Sequence, residues 1–423
     1  MAEGDARGSP SRLQVVFVKS ILTVFGGAEH AAVGLACALR ERGHAVSFLT
    51  RPPLSREHPY FAALARAGVD VRLFPHVQDS RPLLALCAVA RPLLLPLYLL
   101  YRRKPLREAW SSVGSILWTL RASAERRLLW RRLRRLRRPG LPAIAHVFGP
   151  EGLTPWVAAW GREEGVPVVY TETAEADTKA VATFSLRWTI EAINEIPLVV
   201  CCGPRIARNV RENYGYRGEI AEIPFLVEDP EPGPGRARSG AAVVVGIVGR
   251  LVEHKGHRDL LWAVARLREA GHAVELVVAG DGPLRRELQA LAADLGLAAS
   301  VRFTGRFERI GDVMDAIDVL ALPSSSEAQP LAISEAMAYG KPVVASDFGG
   351  IPDMVEDRAS GLLVAPGDRE ALLQALRRLV TDADLRESMG QRGRTLYLAS
   401  RSSSTVLEKM TRAYESLLEG RAA

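Results

Sequence analysis

The sequence predicts an α/β protein of two Rossmann-like, doubly wound domains facing a central cleft. Short apolar runs alternate with amphipathic helical patterns from one end to the other, as parallel α/β construction requires. A chain of 423 residues is longer than one ordinary core accommodates. A proline- and glycine-rich stretch without periodicity, EDPEPGPGRARSG, divides the alternation into two series and reads as a linker over 228–241.

The chain opens with a polar tail, residues 1–12, with no apolar run of the kind a secretory signal needs. The first domain spans 13–227. Its strand candidates are Leu13–Val18, Ala45–Thr50, Val69–Phe74, Ala143–Phe148, Val166–Thr171, Leu198–Cys202 and Ala221–Val227, with helical patterns such as Ala28–Arg42 and Thr154–Glu164 between them. The second domain spans 242–400. Its strand candidates are Ala242–Val248, Val274–Ala279, Val301–Thr304, Val319–Leu322, Pro342–Ser346 and Leu362–Val364. Helical patterns at Arg258–Ala270, Leu284–Leu295, Leu331–Tyr339 and Arg369–Thr381 separate them. Residues 401–423 carry a last amphipathic helix, expected to pack back toward the first domain. Ligands of such folds bind at the C-terminal ends of the strands, so the two domains should share one cleft.

The net charge of +7 is unevenly spread. Residues 81–138 hold 15 basic residues and two acids, leaving 40 basic and 46 acidic residues elsewhere. This segment is a basic, leucine-rich insertion. Residues 83–101 are nearly long enough to span a bilayer, but Arg91, Pro92 and Pro96 interrupt them, which argues against a spanning helix. Residues 116–138 mix leucines and tryptophans with a dense arginine face, the composition of a helix lying on an anionic membrane. The alternative is a surface helix pair whose apolar stripe packs on the sheet. Nothing in the chain suggests nucleic acid as a partner. The four cysteines lack metal-ligand spacing and read as reduced thiols of a cytoplasmic protein, peripheral on the inner face of the cell membrane if the insertion touches lipid.

The residues with the most chemical content lie in PSSSEAQPLAISEAMAYGKPVVASDFGG, residues 323–350. Glu327 falls in a strand-to-helix loop at the C-terminal sheet edge. Pro330 suits the first helical position, which puts Glu335 within the first turns. A helix N-terminus offers free N–H groups to a diphosphate, and a carboxylate on either side accepts hydrogen bonds from sugar hydroxyls. Glu335 also reads as a first-turn acid favoured by the helix dipole. In the first domain, Gly26 and Gly27 allow close approach of an anion at a helix start, or form a simple tight turn. His146 ends a strand on the cleft side, as a ligand contact or as an ordinary strand-end histidine. His254, His257 and the adjacent Cys201 and Cys202 read as structural or surface residues. Gly280-Asp281-Gly282 lacks the remainder of a dinucleotide fingerprint.

Together these stretches resemble the retaining glycosyltransferases of family 4, which have the GT-B fold. The resemblance rests on residues 323–350, on GRLVEHKG at 249–256, on GDGP at 280–283 and on RFTGR at 302–306. It covers nearly all of the second domain. In the first it is thinner, resting on Gly26-Gly27-Ala28-Glu29 and on His146 within AIAHVFG. The resemblance implies that Arg250 and Lys255 neutralise a departing nucleoside diphosphate and that Glu327 contacts the donor sugar. It further implies that Glu335 holds the ribose hydroxyls and that the N–H of Leu331 faces the phosphates.

The implied reaction is transfer of a hexose-type sugar, with retention of configuration, to a glycan or lipid-linked acceptor. The nucleotide sugar is a co-substrate, and no resident cofactor or metal is expected, since no Asp-x-Asp pair sits at a strand end. Two departures are visible. Ala328 stands where the family usually has glycine, and VVYTETAEADT (168–178) offers Glu172, Thr173, Glu175 and Asp177 where the family often has a histidine. A sugar-nucleotide epimerase, or a non-catalytic membrane-surface protein of the same fold, are the rival readings. The epimerase would be betrayed by isomerised sugar or free nucleotide released without any acceptor.

Overall fold

A computed structural model describes residues 12–19, 22, 26–51, 58–74, 122–149, 152–173, 184–230, 242–307 and 309–420. The first domain has a seven-stranded sheet in the order β3-β2-β1-β4-β5-β6-β7. Its strands are β1 Gln14–Lys19, β2 Ala45–Thr50, β3 Asp70–Leu73, β4 Ala143–Phe148, β5 Val168–Thr171, β6 Leu198–Cys201 and β7 Glu219–Glu222. The second has a six-stranded sheet in the order β10-β9-β8-β11-β12-β13. Its strands are β8 Val243–Val248, β9 Val274–Ala279, β10 Val301–Gly305, β11 Val319–Leu322, β12 Val343–Ser346 and β13 Gly361–Val364.

Every strand pair in both sheets is parallel. Parallel strands are covered on both faces, which is why β1 (QVVFVK) and β11 (VLAL) are buried along their whole length and read as continuous apolar runs. The helices of the first domain are α1 Gly27–Glu41, α2 Pro59–Arg66, α3 over 122–136, α4 Thr154–Glu164, α5 Phe184–Ile193 and α6 Pro204–Asn213. Those of the second are α7 His257–Glu269, α8 Arg285–Asp294, α9 Ile310–Met314, α10 Leu331–Ala338, α11 Arg369–Thr381 and α12 Ala383–Ser400, followed by α13 Ser403–Glu419.

The strand expected at Ala221–Val227 is shifted: the ladder covers Glu219–Glu222, and Ile223–Val227 continues as buried chain outside it. Ile223 and Leu226 of this run pack in the cluster of the last helix, and Phe225 and Val227 in the other core cluster. Leu226 shares a core cluster with Val406, Leu407, Met410 and Tyr414 of α13 and with Leu35 and Leu39 of α1. The last helix is therefore part of the first domain's core. Ser403 reinforces the crossing, its hydroxyl donating to Val227 O at 2.8 Å.

Of the basic insertion, residues 81–121 lie outside the described residues, Trp118 among them. So does the linker from 231 to 241. The described end of the insertion is α3, in which Leu128 is exposed. Leu129, Leu133 and Leu136 recur at helical spacing and are buried in the protein core. Arg126, Arg127, Arg131, Arg132, Arg134 and Arg135 face outward. Gln14 fixes the end of α3 to β1: its side chain donates to Leu136 O and accepts from Arg138 N. Among the described residues no helix is long and apolar enough to cross a membrane.

Candidate functional site

In a doubly wound sheet the crevice opens where strand order reverses. In the second domain that point lies between β8 and β11, so the loops after these strands, 249–256 and 323–330, form its walls. They are bound together. Gly256 has φ 72°, and a Cβ there would overlap Pro323 O. Ser325 N donates to His254 O at 2.8 Å. The GDGP stretch supports the first loop from behind: Leu251 N donates to Asp281 O at 3.1 Å and Leu284 N to Leu251 O at 3.2 Å. Gly280, at φ 137°, leaves no room for a Cβ against Gly249 O. The glycines of this motif let one loop buttress another.

This packing brings Lys255 and Glu327 together, with Lys255 Nζ 2.5 Å from Glu327 Oε1. Their side chains are only 16% and 9% exposed, so water screens the pair weakly. Arg250 stands on the same loop, exposed, its guanidinium without a hydrogen-bond or ion-pair partner among the described residues. Lys255 thus pairs with the one carboxylate, while Arg250 on the same loop carries a positive charge with no carboxylate partner among the described residues.

Helix α10 starts at the same edge. Pro330 is its N-cap, one position earlier than the first helical turn expected for it, and Leu331 is the first helical residue. No side chain caps the helix; Ile333 N donates to Pro330 O at 3.1 Å, and the N–H groups of Leu331 and Ala332 remain for a ligand. Glu335 is the fifth residue, which removes it from the first turn and from the helix-dipole explanation. It is 8% exposed, and its carboxyl has no hydrogen-bond or ion-pair partner among the described residues. Burial, and secondarily the Glu228 carboxylate, push its pKa up to about 8. A buried carboxyl without a partner is costly unless something completes it.

The first domain closes the other side. A Cβ on Gly27 would lie 3.8 Å from Leu331 Cγ, so the starts of α1 and α10 oppose each other. Gly26 serves a different contact from the anion approach considered above. Its missing Cβ makes way for the Glu29 carboxylate, which folds back over the helix start. Lys19 Nζ lies 3.5 Å from Glu29 Oε1 and donates to Phe148 O at 3.3 Å. The α1 N-terminus is thereby served by its own acid.

His146 is not on the cleft surface. It is fully buried, with Nδ1 2.6 Å from the Tyr414 hydroxyl and Nε2 2.6 Å from the Thr171 hydroxyl. Burial pushes its pKa down to about 3, so the ring is neutral and both nitrogens are engaged. It joins the sheet to α13 instead of meeting a ligand. Glu172 is equally enclosed, accepting from the Tyr170 hydroxyl at 3.0 Å and Thr173 N at 2.8 Å. Glu175 and Asp177 lie outside the described residues. Cys201, Cys202 and His257 are buried. Burial pushes the Cys202 thiol up to about 12 and His257 down to about 4.

Two contacts between the domains were not readable in the sequence. Gln329 Oε1 accepts from Phe225 N at 2.8 Å. Asp353 Oδ2 accepts from Arg205 N at 2.9 Å at the start of α6, and Arg401 Nη2 donates to Asp353 O at 3.0 Å. Both arise from domain docking, which leaves no periodic trace. Among the described residues no group of three His, Cys, Asp or Glu is gathered as a metal ion would need.

Residues 237–396 match the family described as glycosyl transferases group 1. This group 1 segment contains Arg250, Lys255, Glu327, Leu331 and Glu335. The chain is 35% identical over 224 residues to the lipopolysaccharide core biosynthesis glycosyltransferase LpsE of Rhizobium meliloti (strain 1021), covering 52% of this chain and 63% of that protein. It is 40% identical over 141 residues to the 2-deoxystreptamine glucosyltransferase of Streptomyces kanamyceticus, 33% of this chain and 36% of that one. The match thus spans less than two thirds of either relative. An alpha-D-kanosaminyltransferase of Streptomyces kanamyceticus is 28% identical over 335 residues, 73% of this chain and 83% of its own.

Among solved structures, Anabaena Alr3699/HepE in complex with UDP superposes with a TM-score of 0.73 at 19% identity, over 96% of this chain and 100% of that one. A point mutant of TarM from S. aureus gives 0.72 at 14% identity over 95% and 99%. At such identities the likeness establishes the fold: two Rossmann-like domains in the GT-B arrangement, with the group 1 segment forming most of the second.

Proposed function

We propose that the chain is a glycosyltransferase that moves a hexose-type sugar from a nucleoside diphosphate to a glycan or lipid-linked acceptor, with retention of configuration. The observation that carries this reading is the Lys255–Glu327 pair at the β8/β11 crevice, beside an uncapped helix start and an unpartnered Glu335. The donor diphosphate would lie against the N–H groups of Leu331 and its neighbours, with Arg250 and Lys255 around it. Glu335 would take the ribose hydroxyls, which supply the polar partners its buried carboxyl lacks. Glu327, oriented by Lys255, would accept from a sugar hydroxyl.

The reaction breaks the bond between the anomeric carbon and the diphosphate oxygen and forms one to the acceptor oxygen on the same face. The acceptor proton passes to the departing phosphate. No side-chain base is required, and catalysis rests on positioning and on stabilising the charge that develops on the phosphate. Arg250, Lys255 and the helix start supply that charge without a metal ion. The names of related proteins support the donor class: HepE is described in complex with UDP and with UDP-glucose. The lipopolysaccharide core names of LpsE and LpsD support a glycolipid type of acceptor.

A membrane-bound acceptor also gives a role to α3. Arg127, Arg131, Arg132 and Arg135 are exposed and without an ion-pair partner among the described residues. They would attract an anionic surface by charge, with Leu129, Leu133 and Leu136 left in the core.

Calorimetric titration with a panel of UDP, GDP, ADP and dTDP sugars tests the donor assignment. At least one is expected to bind, and Lys255→Ala to weaken it at least tenfold. Binding of none, or binding indifferent to Lys255, would remove the donor site.

A further inference from the structure

The outer face of the first domain carries a second concavity, away from the donor crevice. It lies between α3, α4 and α5, has a volume of about 280 Å³, and is lined chiefly by Arg126, Trp156, Arg162, Trp188, Glu191 and Glu195. Trp188 is 37% exposed, although an indole is among the side chains with most to gain from burial. Trp156 and Trp188 meet edge to face, 6.3 Å between centroids at 69°, and form an apolar corner. That corner is braced: Trp130 Nε1 donates to Trp156 O at 2.9 Å, and the Arg126 guanidinium lies 5.1 Å from the Trp130 ring centre.

The rest of the lining is polar and of both signs. Arg162 pairs with Glu195, and Glu191 lies 3.4 Å from Arg187. Two guanidiniums and two carboxylates in the lining balance, so the groove favours neither an anion nor a cation. Aromatic walls with hydrogen-bonding groups of both kinds around them fit a ligand with one apolar face and a rim of hydroxyls. A pyranose ring has that form: its C–H face lies against an indole while its hydroxyls donate to carboxylates and accept from guanidiniums. A lipid surface fits poorly, because Glu191 and Glu195 would oppose anionic headgroups. Trp156 also stands in the first turn of α4, a helix that leaves the C-terminal sheet edge bordering the cleft.

We infer that this groove binds a neutral saccharide unit of the acceptor, at a distance from the reacting sugar. The inference rests on the glycosyltransferase reading, and its test separates the two. Full-length wild type, Trp188→Ala and Trp188→Tyr are applied to an array of immobilised neutral bacterial oligosaccharides. Each is also titrated with the best nucleotide sugar and mixed with vesicles of phosphatidylcholine and phosphatidylglycerol.

The wild type is expected to bind at least one neutral glycan, Trp188→Ala to lose at least tenfold in that binding, and Trp188→Tyr to retain most of it. Nucleotide-sugar binding should be equal in all three. The proposal fails if no glycan binding depends on Trp188, or if Trp188→Ala loses vesicle binding instead. Should the nucleotide sugar not bind while Trp188-dependent glycan binding persists, the donor reading falls and the groove stands as a saccharide site.

Discussion

Lys255 Nζ and Glu327 Oε1 lie 2.5 Å apart, although their residues are 72 positions apart in the chain and follow different strands. The pair exists because β8 and β11 are neighbours at the switch point and because Gly256 lets the two loops touch. A partly buried pair of this kind is costly to halve, since the survivor is left desolvated. Lys255→Ala and Glu335→Ala should each lose most activity while keeping the fold. A lost charged hydrogen bond, as in Lys255→Ala, is worth about 1.5–3 kcal/mol, roughly tenfold or more in rate. Steady-state kinetics with circular dichroism of the same preparations checks this. Lys255→Ala combined with Glu327→Gln should cost less than the sum of the single changes, because they share one interaction.

Glu335 should leave a signature in stability against pH. Its folded pKa, pushed up to about 8, exceeds the ordinary value of 4.5, so between these pH values the native state holds a proton that the unfolded chain has released. Stability therefore falls as pH rises through that window and levels off above it. Glu335→Gln, which never ionises, should escape this loss. Its advantage over wild type in urea unfolding should grow from about pH 4.5 to about pH 8, each pH unit being worth up to about 1.4 kcal/mol. An advantage that does not change with pH would mean that the carboxyl titrates normally.

Much of this architecture is legible in the sequence because parallel strands covered on both faces leave unbroken apolar runs such as VVVGIV and VLAL. The loops after β8 and β11 are legible too, through the stretches at 249–256 and 323–350 that resemble the family 4 motifs. What escaped depends on partners remote in the chain. His146 looks like a cleft residue until α13, 268 positions later, brings Tyr414 onto its ring. Gly26 looks like a phosphate turn until the Glu29 side chain is seen to fold over it. Asp353 and Gln329 gain their roles only when the domains meet, and no local pattern encodes that meeting.

Asp353 should help to hold the cleft closed. It accepts from the start of α6 in the other domain, and Gly203 is small enough to admit it, a Cβ there lying 2.9 Å from Asp353 Oδ2. A carboxylate at a helix N-terminus contributes about 0.3–1 kcal/mol, more when partly buried. Asp353→Ala should enlarge the radius of gyration in small-angle scattering and raise KM for the donor. An unchanged scattering profile would assign the contact to local stability alone.

On the proposed reading, in which Arg250, Lys255 and the start of α10 supply the positive charge a bound cation would otherwise give, activity should survive an excess of chelator. Loss of turnover on chelation, restored by a divalent ion, would point to a different catalytic apparatus.

Binding to anionic vesicles should depend on α3 and weaken with salt, since charges beyond a Debye length of about 8–10 Å are screened. Replacing Arg131, Arg132, Arg134 and Arg135 by serine should weaken it further in sedimentation assays, at about 1 kcal/mol per residue near the surface. The same variant should bind nucleotide sugar as the wild type does. Indifference of the wild type to vesicles at low salt would leave the arginine face simply solvated.

The most direct test is to follow the donor and product together by NMR, with the nucleotide sugar that binds best and an acceptor glycan. Release of the nucleoside diphosphate is expected in step with transfer of the hexose, the new glycosidic bond keeping the anomeric configuration of the donor, and both signals should vanish in Lys255→Ala. An isomerised sugar formed without an acceptor, or a product of inverted configuration, would contradict the retaining-transferase mechanism.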